Sequence, residues 1–137
     1  GALIAIEREV GLDSFIETGT RLNADVSSEL ISTIFCPGSP LHDGAAIIQE
    51  QKMIAAGCLL PLTENTELSK SLGTRHRAGI GLTEETDAIV IIVSEETGTI
   101  STGFKGALNR DIDEKGLKKI LDELSTERFG IARSQQV

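Results

Sequence analysis

The stretch that organises this chain is Gly73-Thr74-Arg75-His76-Arg77-Ala78-Gly79-Ile80-Gly81-Leu82. Gly73 permits a tight turn and Thr74 is a favourable N-cap residue, so we expect a helix to begin here. The first N–H groups of a helix are unpaired within the helix and attract anions. Arg75 and Arg77 add two permanent positive charges. The stretch predicts a phosphate-binding helix start, and the alternative is an exposed helix start with solvated arginines.

Composition limits the classes of protein to which the chain can belong. Its 137 residues suit one domain, and its net charge of −8 argues against a general binder of nucleic acids or membrane surfaces. Cys36 and Cys58 form no CxxC pair, so neither a disulfide framework nor a zinc site is indicated, and a reduced, cytoplasmic setting fits. No run reaches transmembrane length. Because the chain begins at Gly1 rather than Met, we expect a fragment whose parent carries further segments.

The hydrophobic pattern predicts an α/β fold. Apolar runs predict strands at residues 2–6, 45–48, 53–60, 88–93 and 100–104. The second and third of these should pair as a hairpin, and residues 88–93 should form a central strand covered on both faces. Helices are predicted over residues 26–35, capped by Asp25 or Ser27, and after Asp113 with a stripe of Leu117, Ile120, Leu121 and Leu124. We expect a single domain over residues 1–130 with a mixed central sheet of about five to seven strands flanked by helices, and a frayed tail at 131–137.

Polar groups lie where the predicted strands end. Asp43 precedes one strand of the hairpin, and the turn at 94–96 follows the predicted central strand. Carboxylates near phosphate-binding arginines indicate a nucleotide or phosphate ligand with Mg²⁺ or Mn²⁺. The glycine pattern matches neither the P-loop nor the dinucleotide fingerprint. Small residues at 44–46 and 55–57 indicate close approach of a flat ligand or, equally, a crowded core.

Two motifs carry a resemblance to a known family. Leu41-His42-Asp43-Gly44-Ala45, followed by Gly73-Thr74-Arg75-His76-Arg77-Ala78, strongly resembles the diadenylate cyclase domain. Ser94-Glu95-Glu96-Thr97-Gly98 also resembles that family, and the likeness runs from about residue 1 to 130 and is greatest for the membrane-anchored type. The resemblance implies condensation of two ATP into cyclic di-AMP, by a homodimer whose domains meet face to face. It also implies a cytoplasmic domain whose parent is anchored in the bacterial cell membrane through a segment missing from this chain, and no nucleic-acid partner.

The resemblance also implies roles for individual residues. The catalytic segment is Asp43, Gly44 and Ala45. The nucleotide-binding residues are Gly73, Thr74, Arg75, His76, Arg77, Leu22, Gly57, Leu59 and Ser94. The candidate metal ligands are Asp43, His42 and Glu95. The alternatives are a structural histidine at 42 and, at 95, a carboxylate that supports a ligand or is a solvated turn residue. Relatives commonly have Tyr where Leu59 aligns, and Leu59 offers the adenine apolar contact without ring stacking.

Physical chemistry refines those roles. An ordinary Asp titrates near ~4 and is a poor base, so Asp43 is expected to orient the ribose hydroxyl and assist the metal. Gly44 is expected to allow close approach of the nucleotide. In a helix Arg77 lies ~200° around from Arg75, so only one of the two can face a given phosphate.

Two rival functions remain open at this point. A non-catalytic nucleotide sensor would use the same pocket, although a carboxylate beside phosphates disfavours pure binding. A metal-dependent phosphohydrolase would use His42, Asp43 and His76, although it needs more metal ligands than the sequence offers. The product formed from ATP distinguishes the three functions.

Overall fold

The computed structural model describes residues 1–68 and 72–123. Their elements follow in the order β1 (Ala2–Ile6), α1 (Asp13–Ile16), β2 (Thr20–Asp25), α2 (Ser28–Ile34), β3 (Ala45–Gln49), β4 (Lys52–Cys58), α3 (Thr74–Glu85), β5 (Ile89–Val93), β6 (Ile100–Phe104) and β7 (Ala107–Ile112). A further helix, α4, begins at residue 114 and is described to residue 123.

The seven strands form one mixed sheet in the order β2-β4-β3-β1-β5-β6-β7. Strand β1 is the middle strand and pairs in parallel with β3, with Ile4 opposite Ala46. It pairs antiparallel with β5, with Leu3 opposite Ile92, and the hairpin of β3 and β4 is also antiparallel. The predicted α/β fold and the hairpin are confirmed, and β5 lies beside the centre of the sheet.

Apolar side chains cover both faces of the sheet. On one face α1 and α3 pack over a cluster that includes Leu3, Leu82 and Val90. On the other face α2 packs over a cluster that includes Ile4 and Ile34. Burying one Leu or Ile side chain contributes about 1.5–3 kcal/mol, so these aliphatic clusters stabilise the fold without Trp or Tyr. The prediction that residues 88–93 are covered on both faces is confirmed, because Val90 and Ile91 join opposite clusters.

Two glycines bring helix α3 close to its neighbours. A Cβ at Gly79 would lie 2.9 Å from Cδ1 of Ile92 on β5. A Cβ at Gly81 would lie 1.8 Å from the carbonyl oxygen of Pro61. Any larger residue at either position would push the helix outward. The glycines therefore help fix where the N-terminus of α3 lies relative to the sheet.

Helix boundaries agree with the sequence in two cases and differ in one. The Ser27 hydroxyl accepts a hydrogen bond from the amide of Leu30 at 3.0 Å, which confirms one of the two predicted caps of α2. Asp113 caps α4 by accepting from the amide of Gly116 at 2.7 Å. The expectation that Thr74 is the N-cap of α3 is wrong, because Gly73 occupies that position in an extended conformation, and no side chain in the described part of the chain caps the helix.

Strand β7 was not anticipated from the sequence. Its residues Ala107–Ile112 alternate poorly, and only Leu108 and Ile112 are partly buried. An edge strand of this kind gains little from apolar burial and is formed by pairing with β6. In α4, Leu117, Ile120 and Leu121 are partly buried, as the predicted stripe requires. Leu124, the boundary at 130 and the tail at 131–137 lie outside the described residues.

Candidate functional site

A cavity of about 770 Å³ opens at one edge of the sheet. Its walls come from the start of β1, the end of β5, the loop before β3, the segment after β4 and the start of α3. The predicted site residues that line it are His42, Asp43, Gly44, Leu59, Gly73, Thr74, Arg75, His76, Ser94 and Glu95. The fold therefore brings the three motifs, which are far apart in sequence, to one place.

Four predicted site residues do not line this cavity. Ala45 is fully buried at the start of β3, and Leu22 packs against the cluster beneath α2. Gly57 adopts a positive φ of 68° within β4. The backbone carbonyl of Arg77 accepts a hydrogen bond from the amide of Thr63 at 3.0 Å, and this bond connects the segment after β4 to α3. The expected separation of Arg75 from Arg77 around the helix is confirmed, because only Arg75 lines the cavity.

The side chains of His42 and Asp43 lie side by side and present two atoms that can bind a metal ion, an imidazole nitrogen and a carboxylate oxygen. Nδ1 of His42 lies 2.6 Å from the carbonyl oxygen of Ser39 and donates to it, because a carbonyl can only accept. Nε2 of His42 then carries the lone pair in the neutral ring, 3.3 Å from Oδ1 of Asp43. The side chain of Asp43 is 89% exposed, so its carboxylate is open to a ligand in the cavity.

Gly44 turns the chain from Asp43 into strand β3. Its φ is +85°, and a Cβ would lie 2.6 Å from the carbonyl oxygen of Cys58. A side chain here would meet both backbone strain and a collision with β4. Close packing on the β4 backbone requires a glycine at this position, and the approach of a nucleotide to Gly44 stays a prediction.

Arg75 lies in the first turn of α3, where the helix dipole is positive. Its side chain is only 22% exposed, and Nη1 lies 3.2 Å from Oε2 of Glu95. Nε of Arg75 is buried, and no hydrogen-bond partner for it is found within residues 1–68 and 72–123. A buried N–H without a partner costs about 1–3 kcal/mol, which an anionic ligand in the cavity would relieve.

Two ionisable groups that line the cavity, His76 and Cys58, are uncharged near neutral pH. Burial, followed by the positive charge of Arg110 on β7, lowers the pKa of His76, so the imidazole is neutral near pH 7. Burial raises the pKa of the Cys58 thiol to about 11, so it stays protonated and unreactive. The sequence does not predict Arg110 near His76, because it does not predict strand β7.

An apolar wall completes the cavity. Leu59 and Leu62 line it with exposed fractions of 69% and 56%, unusually high for leucine. The amide of Leu59 donates to the hydroxyl of Thr18 at 2.8 Å, which fixes the backbone there. Leu62 was not predicted as a site residue. The signal for it was its position directly after Pro61, close in sequence to Leu59, the other leucine of this wall.

The cavity offers a partial ligand set for a divalent cation. Within the described part of the chain, no group of three His, Cys, Asp or Glu residues is placed to hold a metal ion. Glu95 is engaged with Arg75, and Asp43 with His42 remains as a pair of adjacent donors. Mg²⁺ and Mn²⁺ are commonly held by one or two protein groups, with phosphate oxygens and water supplying the rest. The pair therefore fits a cation shared with a bound nucleotide.

Comparison with known proteins gives the family. The model described as DisA bacterial checkpoint controller nucleotide-binding, abbreviated DAC, matches residues 1–108. The chain belongs to the DAC family. Relatives of this DAC chain include cyclic di-AMP synthase CdaA of Bacillus subtilis, 53% identical over 122 residues, and a diadenylate cyclase of Listeria monocytogenes, 54% identical over 121 residues. These matches cover 89% and 88% of the chain but only 45% and 44% of the relatives, so the chain spans less than half of their length.

Solved structures share the DAC fold. A double mutant of DacA from Staphylococcus aureus is 50% identical, with a TM-score of 0.84 over 93% of this chain and 83% of that one. A hypothetical membrane spanning protein from Bacillus cereus is 47% identical, with a TM-score of 0.79 over 82% of this chain and 55% of that one. Among the described residues here, no helix combines the length and apolar character needed to cross a membrane.

Proposed function

We propose that this chain is the catalytic domain of a diadenylate cyclase, which condenses two ATP into cyclic di-AMP and releases two pyrophosphates. The observation that carries the proposal is the shared cavity of Asp43 and Arg75, which sets an open carboxylate and a helix N-terminus around one space. The names of the curated relatives, diadenylate cyclase and cyclic di-AMP synthase, support it.

The reaction needs a nucleophile held in place and a leaving group stabilised. The 3′-hydroxyl oxygen of one ATP bonds to the α-phosphorus of the other and releases its proton to solvent. The bond from that α-phosphorus to the oxygen that bridges to the β-phosphorus breaks, and pyrophosphate leaves. Asp43 orients the attacking hydroxyl, while Thr74 and Arg75 hold the β- and γ-phosphates as negative charge develops on the departing pyrophosphate. Nε of Arg75, which has no hydrogen-bond partner among the residues that the structure describes, supports this role, because a phosphate oxygen would satisfy it.

A divalent cation, Mg²⁺ or Mn²⁺, fits the donor pair of Asp43 and His42. When bound, it neutralises phosphate charge and lowers the cost of deprotonating the hydroxyl. His42 would offer the cation the lone pair of Nε2, because the Ser39 carbonyl accepts the proton of Nδ1 in a hydrogen bond. In this proposal Glu95 forms an ion pair with Arg75 and need not bind the metal.

One chain supplies half of the reaction. It carries one Asp-Gly-Ala and one Arg-His-Arg motif, hence one ATP site. Each 3′-hydroxyl must face the α-phosphate of the other ATP, so the active species is a two-fold dimer with its cavities opposed. The net charge of −8 opposes association, and we expect the isolated domain to form this dimer weakly.

The remaining parts of the proposal concern the base and the cell. Leu59 would lie against the adenine and provide apolar contact without ring stacking. The membrane-spanning description of the Bacillus cereus neighbour supports a membrane-anchored parent whose cyclase domain faces the cytoplasm.

Product identification tests the proposal. The chain is incubated with ATP and Mg²⁺ or Mn²⁺, and the nucleotide products are separated by chromatography and identified by mass spectrometry. Cyclic di-AMP is expected, and 3′-deoxy-ATP, which lacks the nucleophile, should give none. ADP with phosphate would indicate a phosphohydrolase, and unchanged ATP would indicate a sensor; either result would overturn the proposal.

A further inference from the structure

Arg75 forms an ion pair with Glu95, a carboxylate that lines the same cavity. Glu95 follows strand β5, and Oε2 accepts from Nη1 of Arg75 at 3.2 Å. Both residues line the cavity, so the carboxylate lies where a phosphate group would bind the same guanidinium. Glu95 and a phosphate group would therefore compete for the same guanidinium.

The two partners differ sharply in exposure. The side chain of Arg75 is 22% exposed, whereas that of Glu95 is 77% exposed. A carboxylate in water loses little when it leaves such a pair, because exposed ion pairs contribute only about 0.2–1 kcal/mol. Glu95 is therefore easily displaced, while the guanidinium stays in place.

The turn that carries Glu95 is held independently of the ion pair. The amide of Gly98 donates to the carbonyl of Ser94 at 2.9 Å, and the amide of Thr97 lies 3.3 Å from the Ser94 hydroxyl. Loss of the contact to Arg75 would leave these hydrogen bonds intact. The Glu95 side chain can move away without unfolding the turn.

We propose that Glu95 is a displaceable counter-ion, which keeps Arg75 in position in the empty cavity and gives way to the polyphosphate of the incoming nucleotide. The proposal rests on the proposed function, since it concerns the same phosphate site. Triphosphates must compete with Glu95, and this competition weakens their binding. Glu95 acts as a positioning residue rather than a catalytic one.

Charge neutralisation at this position gives a sharp test. Glu95→Gln should bind α,β-methylene-ATP, whose α–β link cannot be cleaved, about 1.4- to 5-fold more tightly, the factor that corresponds to an exposed ion pair. Binding of AMP, which has no β- or γ-phosphate, should change by less than the uncertainty of calorimetry. The matched control is Glu96→Gln, because Glu96 lines the same cavity and no ion pair joins it to Arg75 within the described chain.

Salt and metal titrations separate this role from others. High ionic strength should remove the effect that the two variants share, because long-range repulsion is screened for both. It should weaken but not abolish the additional effect of Glu95→Gln, because Nη1 and Oε2 are only 3.2 Å apart and Arg75 is largely buried. In the cyclase reaction Glu95→Gln should lower KM with no rise in kcat, and the Mn²⁺ concentration that gives half-maximal activity should stay the same. A metal ligand would instead raise that concentration ten-fold or more.

Each outcome decides the proposal. Tighter binding of α,β-methylene-ATP by Glu95→Gln but not by Glu96→Gln supports it. Equal effects of the two variants, weaker binding, or a raised Mn²⁺ requirement would overturn it while leaving the cyclase function intact. If the unmutated protein bound no α,β-methylene-ATP, both the counter-ion role and the cyclase function would fail.

Discussion

Replacing Arg75 with alanine should separate phosphate recognition from folding. The guanidinium lines the cavity, its Nε is buried without a partner among the described residues, and its Nη1 contacts Glu95. The substitution removes the cation that would bind the β- and γ-phosphates. It also leaves the Glu95 carboxylate uncompensated beside the site.

The magnitude follows from these contacts. A hydrogen bond to a charged group contributes about 1.5–3 kcal/mol, which corresponds to about 10- to 150-fold in Kd for a triphosphate. The lost pair with Glu95, 77% exposed, costs the fold only about 1 kcal/mol or less, and removing the buried Nε offsets part of that. Binding should therefore suffer far more than stability.

Calorimetric titration with α,β-methylene-ATP and with AMP measures this effect. Arg75→Ala should lose about 10- to 150-fold in affinity for the triphosphate and only a few-fold for AMP. Arg75→Lys, the matched control, should retain part of the affinity, because it keeps the charge but not the planar fork. Equal losses for both nucleotides, or a loss of several kcal/mol in the free energy of unfolding, would refute the phosphate role of Arg75.

Two further outcomes follow from the same structure. Turnover per chain should rise with protein concentration and then level off, because each chain holds one site; constant turnover at concentrations where sedimentation shows only monomer would contradict the dimer mechanism. Burial raises the pKa of the Cys58 thiol from 9.0 to about 11, so between these two pH values the thiol ionises in the unfolded chain but stays protonated in the folded one. The contribution of the protonated thiol to the free energy of unfolding is therefore complete below about pH 9 and is lost as the pH rises through about 11. Between about pH 8 and pH 11 the free energy of unfolding should fall by about 2 kcal/mol more in the unmutated protein than in Cys58→Ala. Denaturant titrations measure both values, and equal falls would show that burial does not perturb the pKa of this thiol.

The strands with continuous apolar runs were predictable, because burial on both faces leaves a clear pattern. Residues 88–93 predicted β5 to within one residue, and Ser27 and Asp113 marked two helix starts through side chains that accept backbone hydrogen bonds. Strand β7 left no such pattern. Its pairing with β6 depends on the hairpin turn rather than on burial, so Arg110 could not be placed near His76.

The candidate site was predictable as a set of motifs but not as a set of contacts. Asp43 and Arg75 were recognisable from their motifs, whereas the pairing of Arg75 with Glu95 depends on how α3 packs beside β5. Gly44 shows the same limit, because the backbone of β4 that excludes a Cβ belongs to another strand. Local sequence indicates residue chemistry, and only the packing of distant elements decides which groups meet.

The most direct test of the central claim is cyclic di-AMP formation by Asp43→Asn. Asparagine keeps the shape of the side chain and removes its charge, and the exposed position of Asp43 leaves the fold unaffected. Product formation should fall at least about 100-fold, because misplacement of the attacking hydroxyl can by itself cost about that factor. Binding of α,β-methylene-ATP without divalent cation should stay within a few-fold of the unmutated protein. Cyclic di-AMP formation at a rate near that of the unmutated chain would contradict the assignment of this cavity as the catalytic site.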